Sequence, residues 1–302
     1  MGVGEAVRRR ERYFEEEGGR AWENDGVASL QLSKYHGLGN DFLVLVDLLD
    51  CHRLGPSAVR RLCDRRRGVG ADGLIRVLAG RDGAAVAMEL HNADGSLAET
   101  SGNGLRCLAQ AVREAGAVVG TDFVISTPAG PRPVSVGPGQ SPGEVIVRVD
   151  MGVPQVGPDQ SQPGQGRRRT VGMGNPHLVL IGAELGPQLG GTDPDGLGGA
   201  ELAALGPRLQ AGHPNGINIE LVTVGPEPGQ LTMGIWERGV GETLACGTGS
   251  VAAAAAARAW GLVGERVLVN NPGGPLEVDL SGPTAVLTGP SQQVATILVD
   301  LL

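Results

Sequence analysis

One stretch of the chain combines a nucleophilic side chain with the predicted start of a helix. It runs from Trp236 to Trp260 and contains Cys246, a Gly247-Thr248-Gly249 turn and a run of six alanines. Because alanine has the highest helix propensity, we predict a helix from about Thr248 to Trp260. Free N–H groups and the positive end of the helix dipole then favour an ionised sulfur. The pattern predicts a reactive thiolate of lowered pKa; the alternative is a buried structural cysteine at a tight turn.

The same pattern occurs earlier in the chain with a hydroxyl in place of the thiol. Ser101-Gly102-Asn103-Gly104 precedes a helix that we predict from about Asn103 to Ala115. A duplicated half-molecule would place the two helix N-termini face to face across one cleft, each with a small nucleophilic side chain. Such a pair can handle a proton from both faces of one carbon.

The composition limits the classes of protein to consider. A chain of 302 residues is long enough for two domains, and its net charge of −8 argues against general binding to nucleic acids or membrane surfaces. The chain has no apolar run long enough to span a membrane and no signal-peptide pattern, and its four cysteines are too dispersed for a disulfide framework. These features predict a globular, cytoplasmic protein. Lys34 is the only lysine, so Schiff-base catalysis has almost no candidate.

Other patterns are interpreted as structure rather than chemistry. The stretch Gly68 to Gly73 matches a dinucleotide-binding fingerprint by letter, but it follows a predicted helix and opens a strand, so we reject that interpretation. Cys63 and Cys107 lie on predicted helices and are expected in the core. The histidines have no metal-ligand spacing, and no metal is expected.

Six stretches together resemble the diaminopimelate epimerase family, and they cover essentially the whole chain after residue 29. They are Lys34 to Asp47, Gly68 to Leu74, Asn92 to Ala109, Gly174 to His177, Asn215 to Asn218 and Glu237 to Thr248. The resemblance implies a cofactor-independent isomerase that interconverts L,L- and meso-diaminopimelate in lysine and cell-wall precursor synthesis. The rival hypotheses are an amino-acid racemase or β-hydroxy amino-acid dehydratase of the same fold, and an inactive amino-acid-binding protein.

The resemblance also implies an α+β fold of two pseudo-symmetric halves. Each half is expected to be a strongly curved, antiparallel-rich sheet wrapped around a central helix. We predict a mobile extension over residues 1–29, a first half of 30–147 plus 292–302, and a second half of 148–291. Pro128 to Pro142 is rich in proline and glycine and lies between the halves, and Pro154 to Arg169 is predicted as a surface loop. A homodimer is implied by the resemblance alone.

The family's motifs assign roles to residues of this chain. They place Cys246 and Ser101 at the two acid/base positions, and His177 and Glu237 match residues thought to tune them. The implied substrate contacts come from amide, carboxylate, guanidinium and backbone N–H groups of Asn40, Asn92, Gly102, Asn103, Asn175, Asn218, Glu237, Arg238, Gly247 and Thr248. Neutral amides can bind both charged groups of a zwitterion, and a guanidinium forms a planar fork for a carboxylate. The expected partner is therefore a small amino-acid substrate.

Ser101 departs from the family, which has a cysteine at both acid/base positions. A serine hydroxyl is far less acidic than a thiol, so it is a poor proton donor to a carbanion. Three interpretations stay open. Ser101 inactivates an ordinary epimerase in which Cys246 still exchanges the α-proton on its own face; it marks a divergent enzyme that eliminates a β-hydroxyl group; or it relays water in slow epimerisation.

Overall fold

The computed structural model describes residues 29–98, 101–163, 166–185 and 199–300. The predicted N-terminal extension lies outside these ranges, apart from Ser29, which begins the first strand. Within the described residues, no helix is long and apolar enough to cross a membrane.

The first half of the molecule contains two helices and seven strands that pair in numerical order. The helices are α1 (Pro56–Cys63) and α2 (Gly102–Glu114), and the strands are β1 (Ser29–Gly37), β2 (Asn40–Val46), β3 (Gly73–Ala79), β4 (Val86–Asn92), β5 (Asp122–Thr127), β6 (Gly130–Pro138) and β7 (Glu144–Gly152). The last strand of the chain, β16 (Ala285–Asp300), pairs with both β7 and β1. The strands of this half therefore form a closed ring.

The second half follows a related order. Its strands are β8 (Gln155–Asp159), β9 (Arg168–Gly172), β10 (Pro176–Ile181), β11 (Asn218–Val224), β12 (Gln230–Glu237), β13 (Gly241–Glu242), β14 (Arg266–Asn271) and β15 (Gly274–Asp279), and its helices are α3 (Gly199–Ala211) and α4 (Gly247–Ala259). From the shared strand β16 the order is β15, β14, β12, β11, β10, β9 and β8, and the short β13 pairs with β12.

The pattern of strand pairing is the same in both halves. From β1 to β7, successive pairs are antiparallel, parallel, antiparallel, parallel, antiparallel and antiparallel. The series β9, β10, β11, β12, β14, β15 and β16 repeats that order. The expected α+β fold with two pseudo-symmetric halves is therefore confirmed. The predicted domain limits fall inside β7 and β16 and stay a prediction.

Each half wraps its sheet around one buried helix. The stretch 102–112 of α2 is buried, and so is the stretch 247–257 of α4. The six alanines of α4 present little side-chain volume on any face, so strands can approach this helix from all sides. Both helices contribute to one apolar core that is continuous between the halves. This packing fixes the positions of the two helix N-termini.

Several local predictions are wrong. The helical spacing of Pro56 to Arg67 predicts a helix over that range, but the helix ends at Cys63, because Asp64 is extended and its Oδ1 accepts hydrogen bonds from the N–H groups of Arg66 and Arg67. The proline-rich stretch predicted between the halves contains β6. Pro131 and Pro133 pair with β5 and are tolerated because pairing with β7 starts only at Val134, so no ladder bond to β7 needs their missing N–H groups.

One predicted loop and two predicted strands differ in the structure. The surface loop predicted from Pro154 to Arg169 includes β8 and the start of β9. The sequence pattern predicts two strands, Thr284 to Leu287 and Ala295 to Leu302, whereas the structure has one strand, β16, which pairs with β7 over 285–292 and with β1 over 292–300. The partners of these segments lie far away in sequence, so local pattern could not reveal them.

Candidate active site

The two side chains of the repeated motif occupy equivalent positions. Ser101 is the N-cap of α2, and its Oγ accepts a hydrogen bond from the Gly104 N–H at 3.0 Å. Cys246 is the N-cap of α4, and its Sγ accepts from the Gly249 N–H at 3.3 Å. Both residues have extended backbone conformations, so each side chain turns back over the first turn of its helix.

The two helices begin against each other. A Cβ atom added to Gly102 would lie 3.0 Å from the Cα atom of Gly247, and one added to Gly247 would lie 2.9 Å from the Cα atom of Gly102. No side chain fits at either position without a shift of the backbone. One cavity opens at this junction, and it is lined by residues of both halves, including Asn40, Asn92, Ser101, Gly102, Asn103, Asn175, Glu237, Cys246, Gly247 and Thr248.

Asn103 ties the halves together beside the cavity. Its Nδ2 donates to the backbone oxygen of Ala245 at 2.9 Å and to Asn40 Oδ1 at 3.0 Å. Its Oδ1 accepts from the buried Arg106, which also donates to the backbone oxygens of Gly102 and Pro290. The Asn103 side chain is therefore engaged within the protein, and its backbone N–H is the group left for a ligand.

A second polar network holds the first-half amides. Asn40 Nδ2 donates to Asp72 Oδ2 at 2.8 Å, and Arg65 bridges Asp72 to Asp41. Asn92 Nδ2 donates to Ser96 Oγ at 3.0 Å. Asp72 lines the cavity although no role was predicted for it; it belongs to the glycine-rich stretch that was rejected as a dinucleotide site.

The thiol of Cys246 is buried, and its surroundings favour the protonated form. Burial raises its pKa well above the ordinary 9.0, and the carboxylates Glu237 and Glu220 raise it further. Hydrogen bonds from Thr248 and from the Gly249 N–H oppose this rise but are the smaller effects. The prediction of a lowered pKa is therefore wrong, because helix-terminal donors act here on a sulfur that is removed from water and faces two carboxyl groups.

Glu237 and His177 differ in how they reach the cavity. Glu237 lines it, accepts a hydrogen bond from Thr243 Oγ1 at 2.6 Å, and has a pKa raised mainly by burial. His177 is fully buried behind the wall. Its Nε2 contacts Asn175 Oδ1 at 2.9 Å, and its Nδ1 contacts Glu220 Oε1 at 2.6 Å. His177 therefore bonds to the cavity wall through Asn175, and its charge also acts on Glu237.

Asn218 and Arg238 lie beside the cavity rather than in its wall. Asn218 Oδ1 accepts from the backbone N–H of Arg238 at 2.9 Å. The exposed Arg238 side chain donates to the Asn215 backbone oxygen at 3.2 Å. Asn218 therefore holds the backbone of the Arg238 turn, and the predicted direct contact of these two residues with substrate stays a prediction.

Comparison with known proteins decides the family. The family model for diaminopimelate epimerase matches residues 32–157 and 169–294. A diaminopimelate epimerase of Mycolicibacterium paratuberculosis is 39% identical over 289 residues, covering 88% of this chain and 95% of that protein. One from Corynebacterium glutamicum is 40% identical over 279 residues, covering 88% and 97%. The chain belongs to the diaminopimelate epimerase family.

Solved structures of other proteins share the fold of this diaminopimelate epimerase family member. A hydroxyproline epimerase from Agrobacterium vitis aligns with a TM-score of 0.69 at 18% identity, covering 93% of this chain and 94% of that one. A Bacillus anthracis phenazine biosynthesis protein of the PhzF family aligns with a TM-score of 0.65 at 16% identity, covering 91% and 100%. At these identities the likeness concerns the fold alone.

Glu220 is a buried charged residue near the site that sequence reasoning missed in this family member. It lies in the middle of β11, between Ile219 and Leu221, where both neighbours are buried. A single carboxylate within an otherwise apolar stretch is a detectable signal, because charged residues are rarely fully buried without a partner. Its position next to His177 depends on the parallel pairing of β10 with β11, which the sequence does not reveal.

Proposed function

We propose that this protein is a cofactor-independent isomerase that epimerises diaminopimelate at an α-carbon. One observation carries the proposal: Ser101 and Cys246 are equivalent N-caps of two helices that abut at Gly102 and Gly247 and open into one cavity. This arrangement supports a site in which one acid/base group from each half acts on opposite faces of a substrate carbon. Family membership supplies the substrate class.

The chemistry follows from the groups that line the cavity. The α-proton of an amino acid is weakly acidic, so its removal needs a positioned base and donors for the charge that develops on the carboxylate. Backbone N–H groups at the starts of α2 and α4 supply such donors where two helix dipoles converge. The amides of Asn40, Asn92 and Asn175 can bind the charged groups of the substrate.

The two faces of the site are unequal. Cys246 offers a thiol that becomes a base when it loses its proton, whereas Ser101 offers a hydroxyl of much higher pKa. We expect proton exchange on the Cys246 face to be faster than inversion, because inversion also needs transfer on the Ser101 face. The protein then acts as an epimerase whose rate is limited by Ser101.

We further propose a homodimer located in the cytoplasm. Family resemblance supports both, and all four cysteines are free thiols, as a reducing compartment allows. Val294 and Leu298 are exposed apolar side chains on β16 and offer a surface for a second copy. Light scattering of the wild type and of Leu298→Glu tests the assembly: we expect a dimer that weakens in the variant, and a monomeric wild type contradicts the proposal.

Incubation with L,L-diaminopimelate in deuterated water tests the activity. Deuterium at the α-carbon with formation of the meso isomer supports epimerisation. Deuterium without inversion supports exchange by Cys246 alone and contradicts inversion. Absence of uptake together with measurable binding identifies an amino-acid-binding protein instead. Cys246→Ala is the matched control and is expected to abolish exchange.

A further inference from the structure

A buried acid behind the cavity has no role in the chemistry described so far. Glu220 and His177 are both fully buried, and Glu220 Oε1 lies 2.6 Å from His177 Nδ1. Among the described residues, Glu220 Oε2 has no hydrogen-bond partner. Burying a carboxyl group without full pairing lowers the stability of the fold. A residue kept in such a place is therefore a candidate for a functional role.

A continuous chain of polar contacts runs from this acid to the thiol. His177 Nε2 lies 2.9 Å from Asn175 Oδ1, and Asn175 Nδ2 donates to Thr248 Oγ1 at 3.4 Å. Thr248 Oγ1 lies 3.4 Å from Cys246 Sγ. Glu220 is thus connected to the sulfur through three intervening side chains.

Each link fixes the direction of the next. Asn175 Nδ2 donates to Thr248 Oγ1, so the proton of the Thr248 hydroxyl is available for a hydrogen bond to Cys246 Sγ. Once Cys246 is ionised, its sulfur can only accept such a bond. The Asn175 oxygen can only accept, so His177 Nε2 must carry a proton. A reversed amide would need a bare Nε2 and would turn the Thr248 proton away from the sulfur.

Electrostatics favour the observed direction. The 2.6 Å contact between His177 Nδ1 and Glu220 Oε1 needs one shared proton, because two bare acceptors would repel, and a second proton on Nε2 makes the pair neutral overall. The reversed arrangement would leave a net negative charge in a buried site with Glu237 nearby and no arginine or lysine bonded to Glu220 among the described residues. The Glu220 carboxyl group also lies against the first turn of α4, since a Cβ on Gly249 would be 2.7 Å from Oε1.

We propose that Glu220 is a positioning residue that keeps a proton on His177 Nε2 and thereby points the Thr248 hydroxyl proton at Cys246. The inference rests on the proposed function only in assigning Cys246 its role as a base. Glutamine at position 220 would remove the charge that disfavours the reversed amide, so both directions would become populated.

The direct test is nuclear magnetic resonance of the protein labelled with ¹⁵N-histidine. The His177 signals are identified as those that disappear in His177→Gln. We expect a protonated Nε2 in the ligand-free wild type. A bare Nε2 overturns the proposal, and this result does not depend on whether the protein is an epimerase or on the folding of any variant at position 220.

The second test measures alkylation of Cys246 by iodoacetamide as a function of pH, in a Cys51→Ser background that removes the exposed thiol. Glu220, the His177 side chain bonded to it, and Glu237 are the titratable groups that face this sulfur. If Glu220 points the hydroxyl, Glu220→Gln slows alkylation, because the thiolate loses its Thr248 donor. If Glu220 acts only as a negative charge, the variant reacts faster; a faster or unchanged rate overturns the proposal.

A double-mutant cycle separates positioning from general structural support. Glu220→Gln is expected to lower kcat for α-proton exchange by about 10-fold to 100-fold, comparable to the loss of other supporting residues of a reactive group. In a Thr248→Val background there is no hydroxyl to point, so the same change should cost nothing further. Additive losses contradict the proposal. Glu277→Gln, an exposed change on β15, is the matched control and should alter none of these measurements.

Discussion

Gly102 and Gly247 touch backbone to backbone at the point where the two central helices begin. A Cβ atom added to either residue would lie only 2.9–3.0 Å from the Cα atom of the other. Two helices that begin this close together need glycine at both positions, because a side chain on either one would overlap the backbone of the other. It brings Ser101 and Cys246, which are far apart in sequence, to the same cavity.

Replacement of Gly247 by alanine is predicted to separate the helix starts. Its Cβ would lie 2.9 Å from both the Gly102 Cα and the Leu287 Cδ2, so we expect a loss of about 1–3 kcal/mol in the free energy of unfolding and a large fall in proton exchange. Urea denaturation and the deuterium assay measure the two effects. Gly264→Ala is the control, since a Cβ there meets no atom within 4 Å. Equal stability of both variants would contradict the close contact.

Replacement of Ser101 by cysteine is predicted to speed epimerisation by orders of magnitude, about 100-fold or more. The reason is that a positioned thiol is a far better proton donor and base than a hydroxyl. The measurement is the rate of formation of meso-diaminopimelate from the L,L isomer. Cys246→Ser in the same background should remove the gain. An unchanged rate in Ser101→Cys would mean that residue 101 does not face the reacting carbon.

The pH dependence of Cys246 follows from its raised pKa. Because burial and nearby carboxylates hold the pKa of the thiol above the ordinary 9.0, the thiolate fraction at pH 8 is smaller than for a free cysteine and rises only above pH 9. In the Cys51→Ser background, alkylation of Cys246 should therefore be slow at pH 8 and increase steeply at higher pH. Glu237→Gln removes one negative charge, so the profile should shift to lower pH. A Cys246 that titrates below pH 8 without ligand would contradict this prediction.

Arg106 is predicted to support both stability and the junction of the halves. Burial lowers its pKa to about 10, so it is charged at neutral pH, and it donates to Asn103 Oδ1 and to two backbone oxygens. Arg106→Met should cost about 3 kcal/mol in unfolding free energy, because three buried acceptors lose their donor. It should also slow exchange, since Asn103 loses the group that orients its amide toward Ala245. Arg67→Met, on an exposed loop, is the control for urea denaturation.

The local elements were largely predictable from sequence, and their partners were not. Both central helices begin and end within one residue of the predicted limits, because N-cap residues, glycine turns and alanine content act over a few neighbouring residues. The strand β6 was missed because its prolines argue against a strand, and they are acceptable only because Pro131 and Pro133 pair with β5 and have no partner on β7. That absence is a property of the sheet.

The candidate site also combines features that follow from local sequence with features that depend on tertiary packing. The sequence by itself determined that Ser101 and Cys246 are matched N-caps, since capping depends on the residue and on the N–H groups of the next turn. Only the tertiary structure decided that Cys246 is held as a thiol and that His177 lies behind Asn175 next to Glu220. Desolvation and charge proximity are sums over elements that are distant along the chain, so they exist only once both halves have packed against each other.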